Sequence, residues 1–395
     1  MALHEDTVVG VVGAGAMGTG IAQVAATAGH KVIIADAGAG AVPKAQANIG
    51  KVLDRDVEKK RRTRDEADAI ASRIEYRWEP LTDTTPFRQC GLVIEAVVED
   101  LDAKQRLFKA LEGAVARDAV LATNTSSLSV TSIAAACEAS ERVIGLHFFN
   151  PAPVMPLVEV VPWMGGDATV AAACHALMRR WGKSPVLASD TPGFIVNRIA
   201  RPYYGESLRI LEEGTADAVT IDWALRELGK FRMGPFELMD FIGNDVNYAV
   251  TRSVFEAFFY DPRYKPSLTQ RRLVEAGFLG RKAGRGYYDY REGAARPEPN
   301  TDPALGQLVF ERVLAMLVNE AVDAVFMQVA SPEDIDTAMT RGVNYPKGLL
   351  AWCDDLGAPR VLGWMERLHA EYGDDRYRPS PLLRRMAREN QRFFA

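Results

Sequence analysis

A chain of 395 residues is too long for one ordinary core and predicts two or three domains. Its hydrophobic fraction of 48% and charged fraction of 25% are typical of soluble globular proteins. The sequence contains no uninterrupted run of about 20 apolar residues, so no membrane span is predicted. The formal net charge of −5 argues against nucleic acid as the main partner. Because the N-terminus lacks a basic region before a long apolar run, we expect no signal peptide and a cytoplasmic location.

Four cysteines are scattered along the chain, at Cys90, Cys137, Cys174 and Cys353, without the paired spacing of metal ligands. This pattern predicts buried, reduced thiols, and the alternative is a metal or redox site. We therefore expect no bound metal.

The first half of the sequence alternates short β-rich runs with helical patterns, which predicts a parallel sheet flanked by helices. The predicted strands cover residues 7–12, 31–35, 92–97, 120–123, 143–149 and 157–161. The predicted helices cover residues 16–28, 104–115 and 168–181. From Asn197 onward the pattern becomes helical, so we expect a domain boundary near residues 189–193.

A glycine-rich turn connects the first predicted strand to the first predicted helix. Gly13 permits the tight turn, Gly15 lets a pyrophosphate approach the backbone, and Gly18 allows the helix to pack closely on the strand. Asp36 ends the second predicted strand, where its carboxylate would bind an adenosine ribose and repel a 2′-phosphate. The sequence therefore predicts NAD rather than NADP. One alternative is that the bound nucleotide is FAD. The other is an ordinary glycine turn with a surface aspartate that binds no nucleotide.

Two polar side chains mark a second candidate site. Ser126 follows the strand predicted at 120–123, at the sheet edge where open α/β proteins bind ligands. It would hydrogen-bond a substrate oxygen, unless it belongs to a helix N-cap cluster. Asn197 lies at the predicted domain junction and would reach the same cleft, unless it is a buried structural amide.

A histidine and a glutamate stand in apolar surroundings on successive predicted strands. His147 has only leucine and phenylalanine as near neighbours, which by itself is typical of a core residue. Glu159 has two apolar residues on each side, and burial of its charge needs a partner. A proline-stiffened loop joins the strands, so we expect the two side chains to pair. The carboxylate would then fix the imidazole tautomer and stabilise the imidazolium, as alcohol oxidation needs.

The C-terminal half contains a polar linker and a repeat. Residues 291–303 hold three prolines and cannot build a core element. At a constant offset of 114, eight identical residues recur across this linker, which predicts a duplicated helical module. The matched pairs are Arg198 and Arg312, Glu206 and Glu320, Ile221 and Ile335, Asp222 and Asp336, Ala224 and Ala338, Gly234 and Gly348, Asp240 and Asp354, and Gly243 and Gly357. The second copy has Glu311 where the first has Asn197, so it need not share a catalytic role.

Together these segments resemble the 3-hydroxyacyl-CoA dehydrogenase family over residues 7 to about 290, and the repeat beyond is similar to the second C-terminal module of longer members. The motifs that carry the resemblance are Asn124-Thr-Ser-Ser-Leu, Gly145-Leu-His-Phe-Phe-Asn-Pro, Leu157-Val-Glu-Val, Asp190-Thr-Pro-Gly-Phe-Ile-Val-Asn-Arg and Met233-Gly-Pro-Phe-Glu-Leu.

The resemblance implies an α/β Rossmann-type N-terminal domain followed by two all-α modules like the C-terminal domain of 6-phosphogluconate dehydrogenase. The expected domains are residues 1–189, 190–290 and 304–395, with 291–303 as the linker and the last domain a degenerate copy of the second. In single-module relatives that module makes the homodimer. The second copy would therefore give a monomer with an internal pseudo-dimer, unless the chain is a homodimer.

The resemblance also implies residue roles. His147 is the expected general base, Glu159 its partner, and Ser126 and Asn197 the groups that bind the substrate oxygen. The expected cofactor residues are Gly13, Gly15, Met17, Gly18, Asp36, Glu99, Lys104, Asn150 and Lys282.

In this family the helical segment after Asp36 contacts the coenzyme A end of the substrate. Here it carries a cluster of cations suited to phosphates, at Lys59, Lys60, Arg61, Arg62 and Arg64. Lys59 is the expected phosphate contact, whereas most of the others are expected to be solvated. Val52 stands where some relatives have a serine.

The expected activity is oxidation of an L-3-hydroxyacyl-CoA to the 3-oxoacyl-CoA with NAD, in fatty-acid β-oxidation or in phenylacetate-type breakdown of aromatic acids. One alternative is a dehydrogenase of a free hydroxy acid or sugar acid on the same scaffold. The other is a non-catalytic NAD-binding subunit. The acyl chain stays open between a short one, such as 3-hydroxybutyryl, and a dicarboxylate, such as 3-hydroxyadipyl.

Overall fold

A computed structural model describes residues 3–80 and 83–394, and the chain divides into two compact units, residues 1–194 and 195–395. The strands of the first unit are β1 (Val9–Val12), β2 (Val32–Asp36), β3 (Ile74–Trp78), β4 (Leu92–Glu95), β5 (Val120–Thr123), β6 (Val143–Phe148), β7 (Leu157–Pro162) and β8 (Ser184–Leu187). Its helices are α1 (Ala16–Thr27), α2 (Ala41–Glu58), α3 (Arg64–Ser72), α4 (Leu101–Ala114), α5 (Val130–Ala134) and α6 (Ala168–Arg180).

The first unit is a doubly covered sheet with the strand order β3-β2-β1-β4-β5-β6-β7-β8. Valine, isoleucine and leucine fill its central strands, since both faces are buried. One face packs against α1, α2, α3 and α6, and the other packs against α4 and α5. The predicted Rossmann-type architecture is therefore confirmed. The carboxyl ends of β1, β2, β4, β5 and β6 share one edge of the sheet, where ligands bind in this architecture.

The sheet is parallel, as predicted, except at one pair of strands. β6 and β7 are antiparallel, whereas the other pairs are parallel. The physical reason is the length of the connection, because residues 149–156 are too few for the crossover of about a dozen residues that parallel strands need. A hairpin is the only pairing that so short a loop allows.

The second unit is helical, and its described residues, 195–394, contain no strand beyond isolated bridges at Gly280, Arg285 and Asp289. Its helices are α7 (Val196–Ile199), α8 (Arg201–Glu212), α9 (Ala218–Glu227), α10 (Pro235–Ile242), α11 (Asn244–Ala257), α12 (Leu268–Glu275), α13 (Pro303–Phe326), α14 (Pro332–Gly342), α15 (Leu349–Leu356), α16 (Ala358–Tyr372) and α17 (Pro381–Glu389). Residues 291–302 form neither helix nor strand, whereas Pro303, predicted to end the linker, begins α13.

Matched side chains of the predicted repeat make the same contacts in both copies. Asp222 accepts hydrogen bonds of 2.9 Å from the first backbone N–H groups of α10, and Asp336 accepts bonds of the same length from those of α15. A Cβ on Gly234 would collide with Asp222, and one on Gly348 would collide with Asp336. The two modules therefore have the same local structure at these positions.

Candidate active site

The glycine turn has the shape of a dinucleotide cradle. Gly13 adopts φ +104°, and a Cβ on Gly18 would collide with the Gly13 carbonyl. A Cβ on Gly15 would have no protein atom within 4 Å, so the fold itself does not require a glycine there. Open space at the N-terminus of α1 is what a pyrophosphate needs. The turn therefore fits the group that the sequence predicts.

Asp36 lies beside this turn, at the carboxyl end of β2. Its Oδ2 accepts from the backbone N–H of Ala14 and its Oδ1 from that of Gly38, both at 2.7 Å. The carboxylate is therefore fixed next to the cradle, where an adenosine ribose would lie. Met17, on the first turn of α1, is half-buried against the core.

A buried ion pair that sequence reasoning missed supports the neighbouring strand ends. Glu95 ends β4 with its side chain fully buried, and its Oε1 lies 2.5 Å from the Nζ of Lys104 on α4. Its Oε2 accepts from the hydroxyl of Thr123 at the end of β5. Lys104 is only 1% exposed and also pairs with Glu99 at 3.2 Å. A glutamate that ends an apolar strand, nine residues before a lysine, was the available signal.

Glu99 organises the turn that carries Ser126. Its Oε1 accepts from the hydroxyl of Thr125 at 2.7 Å and from the backbone N–H groups of Ser126 and Ser127 at 2.8 and 3.0 Å. Burial raises the pKa of Glu99, but the charge of Lys104 and these hydrogen bonds outweigh burial and hold the pKa below its ordinary value. The carboxylate therefore stays ionised and keeps the turn in place.

Ser126 is half-buried at the carboxyl edge of the sheet, and it is not the N-cap of the helix that follows. Ser129 fills that role by accepting from the backbone N–H of Ser132 at 3.2 Å. The neighbouring Asn124 accepts from the backbone N–H of Phe148 at 2.8 Å and so ties the Ser126 turn to β6. Ser126 thus follows β5, His147 lies near the end of the adjacent strand β6, and a hydrogen bond connects the two segments.

His147 and Glu159 meet as the sequence predicts. They are directly opposite each other in the β6–β7 hairpin, and His147 Nδ1 lies 2.6 Å from Glu159 Oε2. Glu159 is 0% exposed and His147 is 6% exposed. Because a carboxylate can only accept, Nδ1 carries the proton and Nε2 is left as the basic nitrogen. The arrangement is that of a general base held by a buried carboxylate.

A lysine holds the loop between these two strands. The Nζ of Lys183, which lies just before β8, donates to the backbone carbonyls of Ala152 and Met155, the latter at 2.9 Å. Burial lowers the pKa of Lys183 to about 8. The loop carries Pro151, Pro153 and Pro156 and closes the hairpin that pairs His147 with Glu159.

Lys59 directly follows α2 and lines a cavity of about 630 Å³ in the first unit. The basic residues that line this cavity are Arg55, Lys59, Arg61, Arg62 and Lys183. Val52 lines it too, and the only acidic residue among the lining side chains is Asp56, which pairs with Arg61 at 3.6 Å and with Arg62 at 3.8 Å. A cavity with this charge suits a phosphorylated ligand.

The remaining predicted residues are spread over both units. Asn150 is exposed in the first unit, two residues after the end of β6. Asn197 lies on α7 of the second unit, where its backbone carbonyl accepts from Arg201 Nε at 2.9 Å. Lys282, also in the second unit, pairs with Asp245 at 2.6 Å. Roles for these three side chains in a common site stay predictions.

The predicted thiols are confirmed, since all four cysteines are buried and unpaired with one another. Burial raises the pKa of each thiol to about 12. Within residues 3–80 and 83–394, no group of three or more histidine, cysteine, aspartate or glutamate side chains is placed to hold a metal. Over the same residues, no helix is long and apolar enough to cross a membrane.

Comparison with family models gives two matches. The model of the "3-hydroxyacyl-CoA dehydrogenase, NAD binding domain" matches residues 8–191, and that of the "3-hydroxyacyl-CoA dehydrogenase, C-terminal domain" matches residues 193–290 and 308–392. The C-terminal model thus matches on both sides of the linker.

Two curated relatives and one solved structure show the extent of the similarity. The chain is 40% identical to the 3-hydroxyadipyl-CoA dehydrogenase of Escherichia coli K12, over 98% of each. It is 40% identical to the 3-hydroxybutyryl-CoA dehydrogenase of Bradyrhizobium diazoefficiens, over 74% of this chain and 97% of the relative. The crystal structure of a 3-hydroxybutyryl-CoA dehydrogenase from Escherichia coli K12 has a TM-score of 0.91 at 38% identity, covering 98% of this chain and 99% of its own.

Proposed function

Because the chain belongs to the 3-hydroxyacyl-CoA dehydrogenase family, we propose that it oxidises the 3-hydroxyl of an L-3-hydroxyacyl-CoA to the 3-oxoacyl-CoA and catalyses the reverse reaction. The observation that carries the proposal is the 2.6 Å bond between buried His147 and Glu159. A carboxylate in a dry site is stabilised by a cationic partner, and His147 becomes that partner when it takes a proton. The pair is therefore suited to removing the proton of an alcohol.

In the proposed mechanism, Glu159 holds Nδ1 of His147 and Nε2 removes the proton of the substrate hydroxyl. Ser126 and Asn197 orient that hydroxyl by hydrogen bonds. When bound, NAD supplies the acceptor for the hydride that leaves C3 of the acyl chain. Glu99 acts through the Ser126 turn, and Lys104 acts through Glu99, since its ammonium is buried. Asn150 and Lys282 complete the proposed set of cofactor residues.

Two glycine substitutions separate cofactor binding from folding. Gly15→Ala places a methyl group where no protein atom lies within 4 Å, so the melting temperature of the protein without NAD should not change. The methyl group would crowd a pyrophosphate at a cost of about 1–3 kcal/mol, roughly a 5- to 150-fold rise in the NAD dissociation constant. Calorimetric titration with NAD measures this loss.

Gly18→Ala is the matched control, because its methyl group meets the Gly13 carbonyl and should lower the melting temperature whether or not NAD binds. Unchanged NAD affinity in the Gly15→Ala protein would show that the cofactor does not approach this turn.

The basic cavity is the proposed site for the phosphates of coenzyme A. Lys59→Ala removes one cation from its lining and should raise the KM for a CoA thioester by roughly 5- to 30-fold, or about 1–2 kcal/mol, with little change in kcat. Because the effect comes from the phosphates, a pantetheine thioester that lacks the nucleotide should show no such rise. Steady-state kinetics with both thioesters tests this.

Lys51→Ala is the control for the charge change, since Lys51 is an exposed cation on α2 that does not line the cavity. An equal rise in KM for both thioesters, or in both variants, would place the CoA phosphates elsewhere.

The acyl chain is the finer question. One relative is described as acting on 3-hydroxyadipyl-CoA and others on 3-hydroxybutyryl-CoA, so a short chain and a dicarboxylate are both candidates here. A subunit of a fatty acid oxidation complex, 33% identical over 99% of this chain, makes β-oxidation a candidate pathway beside the breakdown of aromatic acids. A specificity profile over CoA thioesters of increasing length, with the adipyl thioester included, separates these substrates. A cytoplasmic location stays a prediction.

We also propose that the two helical modules, 190–290 and 304–395, pack as an internal pseudo-dimer. Arg198 Nε bonds Glu320 at 2.6 Å, and the equivalent Arg312 Nε bonds the equivalent Glu206 at 2.5 Å. Such reciprocal contacts characterise a two-fold interface between identical subunits. In this chain the second module takes the place of a partner subunit. Light scattering distinguishes the resulting monomer from a homodimer.

A further inference from the structure

The imidazole of His147 lies close to two aromatic rings in the first unit. Its centroid is 4.5 Å from that of Phe149, with the ring planes tilted by 52°, and 5.8 Å from that of Phe194, with a tilt of 58°. Phe149 follows β6 directly, whereas Phe194 lies 45 residues further along the chain, as the last residue of the first unit. Two separate segments therefore supply rings to the same imidazole.

Phe194 holds its place at a conformational cost. Its φ of +46° lies in the left-handed region, where a bulky side chain is rare and persists only if the surroundings impose it. The preceding Gly193 also has a positive φ, of +73°. Despite this backbone, Phe194 is only 2% exposed.

A carboxylate clamps the segment that leads to Phe194. Asp190 Oδ2 accepts from the backbone N–H of Thr131 at 2.7 Å and from the Ser129 hydroxyl at 2.9 Å, and its Oδ1 accepts from the backbone N–H of Val130 at 3.0 Å. These bonds tie residues 190–194 to the start of α5. The strained turn is thus anchored in a way that keeps the Phe194 ring near His147.

We propose that Phe149 and Phe194 are positioning residues that stabilise the protonated imidazole of His147 during the reaction. This inference rests on the proposed role of His147 as the base. The negative faces of aromatic rings attract a cation within about 6 Å, and both centroid distances lie inside that limit. The neutral imidazole gains less from them, so the rings favour the state in which His147 has taken the proton.

Several ionisable groups share this region and have to be kept constant. Glu159 on β7 bonds the imidazole directly. Glu99, in the loop after β4, holds the Ser126 turn, and Asp190 clamps the Phe194 segment. None of them changes in the variants proposed below, so a difference between variants reports the rings.

The test is the pH profile of kcat/KM for alcohol oxidation in Phe149→Leu and Phe194→Leu. Oxidation needs the unprotonated base, so activity is lost as the pH falls. Leucine keeps the site apolar but removes the ring that favours the protonated form. The midpoint of the acidic limb should therefore move to lower pH, by about 0.5–1 unit, with the KM for NAD unchanged. Phe149→Tyr keeps an aromatic face and should restore the wild-type midpoint.

Phe148→Leu is the matched control, because Phe148 is a buried neighbour whose ring packs towards Trp181, with centroids 6.4 Å apart. It should lower stability and leave the midpoint unchanged. If neither Phe149→Leu nor Phe194→Leu moves the midpoint, or if it moves to higher pH, the rings only fill space and the inference is wrong. If His147→Gln keeps wild-type turnover, the proposed function itself fails, whatever the phenylalanine variants do.

Discussion

Replacing His147 with glutamine is expected to lower kcat by about 10²–10⁴-fold, the usual contribution of a general base. Glutamine keeps a polar side chain of similar reach and can still bond Glu159, but it cannot take up a proton at neutral pH. Steady-state NADH formation with a 3-hydroxyacyl-CoA measures the loss. Because His147 lies at the end of β6 and not in the glycine turn, the dissociation constant for NAD should stay within about twofold.

His4→Gln is the control for this substitution, since His4 is an exposed histidine before β1. It should leave kcat unchanged. Turnover near the wild-type value in the His147→Gln protein would remove the dyad from the mechanism. An equal loss of NAD binding would instead indicate that the first unit had been disturbed.

The second large effect is expected at the reciprocal ion pairs of the helical unit. Glu320 Oε1 accepts from Arg198 Nε and from the Tyr264 hydroxyl, both at 2.6 Å. The equivalent Glu206 Oε1 accepts from Arg312 Nε at 2.5 Å and from the Tyr377 hydroxyl at 2.6 Å. Both carboxylates are buried. Glu206→Gln or Glu320→Gln removes the buried charge from one of these bonds, although Glu213 still pairs with Arg312 and Asp323 still pairs with Arg198. Each substitution should lower the free energy of unfolding by about 1.5–3 kcal/mol, the usual contribution of hydrogen bonds to charged groups.

The prediction also requires the Glu206 and Glu320 sites to be equivalent in their contribution to stability. If the modules form a pseudo-dimer, the two glutamine variants should lose similar stability in urea unfolding of the whole chain. Glu292→Gln, in the exposed linker, should change it by less than about 0.5 kcal/mol. A large loss in one variant and none in the other would contradict the reciprocal arrangement.

The same carboxylates predict sensitivity to acid. Burial raises the pKa of Glu206 and Glu320, but the charges of the neighbouring arginines outweigh burial and hold both pKa values below the ordinary one. A depressed pKa gives stability that is present above the pKa of the unfolded chain, near 4.3, and lost as the pH falls through the folded value. The glutamine variants should therefore show a smaller loss of stability in acid than the wild type.

The contact between His147 and Glu159 was predictable from the sequence because each polar side chain stands among apolar neighbours. A glutamate with apolar neighbours on both sides needs a buried cation, and the short proline-rich loop leaves His147 as the partner across a hairpin. The same loop length excludes a parallel pairing of β6 with β7, which the alternation of strands and helices does not indicate by itself. Local connection length decided the pairing.

The strands that sequence reasoning missed, β3 and β8, are the two edges of the sheet. β3 has a single buried residue, Ile74, and β8 contains Pro185, which an edge strand tolerates. Neither has the continuous apolar run that predicts a central strand. Edge strands are specified by their neighbours more than by their own residues.

The repeat was predictable at eight matched positions, but the tyrosines that complete its ion pairs were not. Tyr264 and Tyr377 lie one position out of register with the other pairs, so an ungapped comparison does not align them. The Asp190 clamp and the Glu95–Lys104 pair also depend on contacts between distant segments. Such contacts appear only when the strands are assembled.

The most direct test of the proposed function is NADH formation by the whole chain with L-3-hydroxybutyryl-CoA and, in parallel, with free L-3-hydroxybutyrate. The buried His147–Glu159 pair and the basic cavity together predict rapid reduction of NAD by the thioester and little or none by the free acid. Oxidation of the free acid alone, or no NADH from any 3-hydroxyacyl thioester, would contradict it.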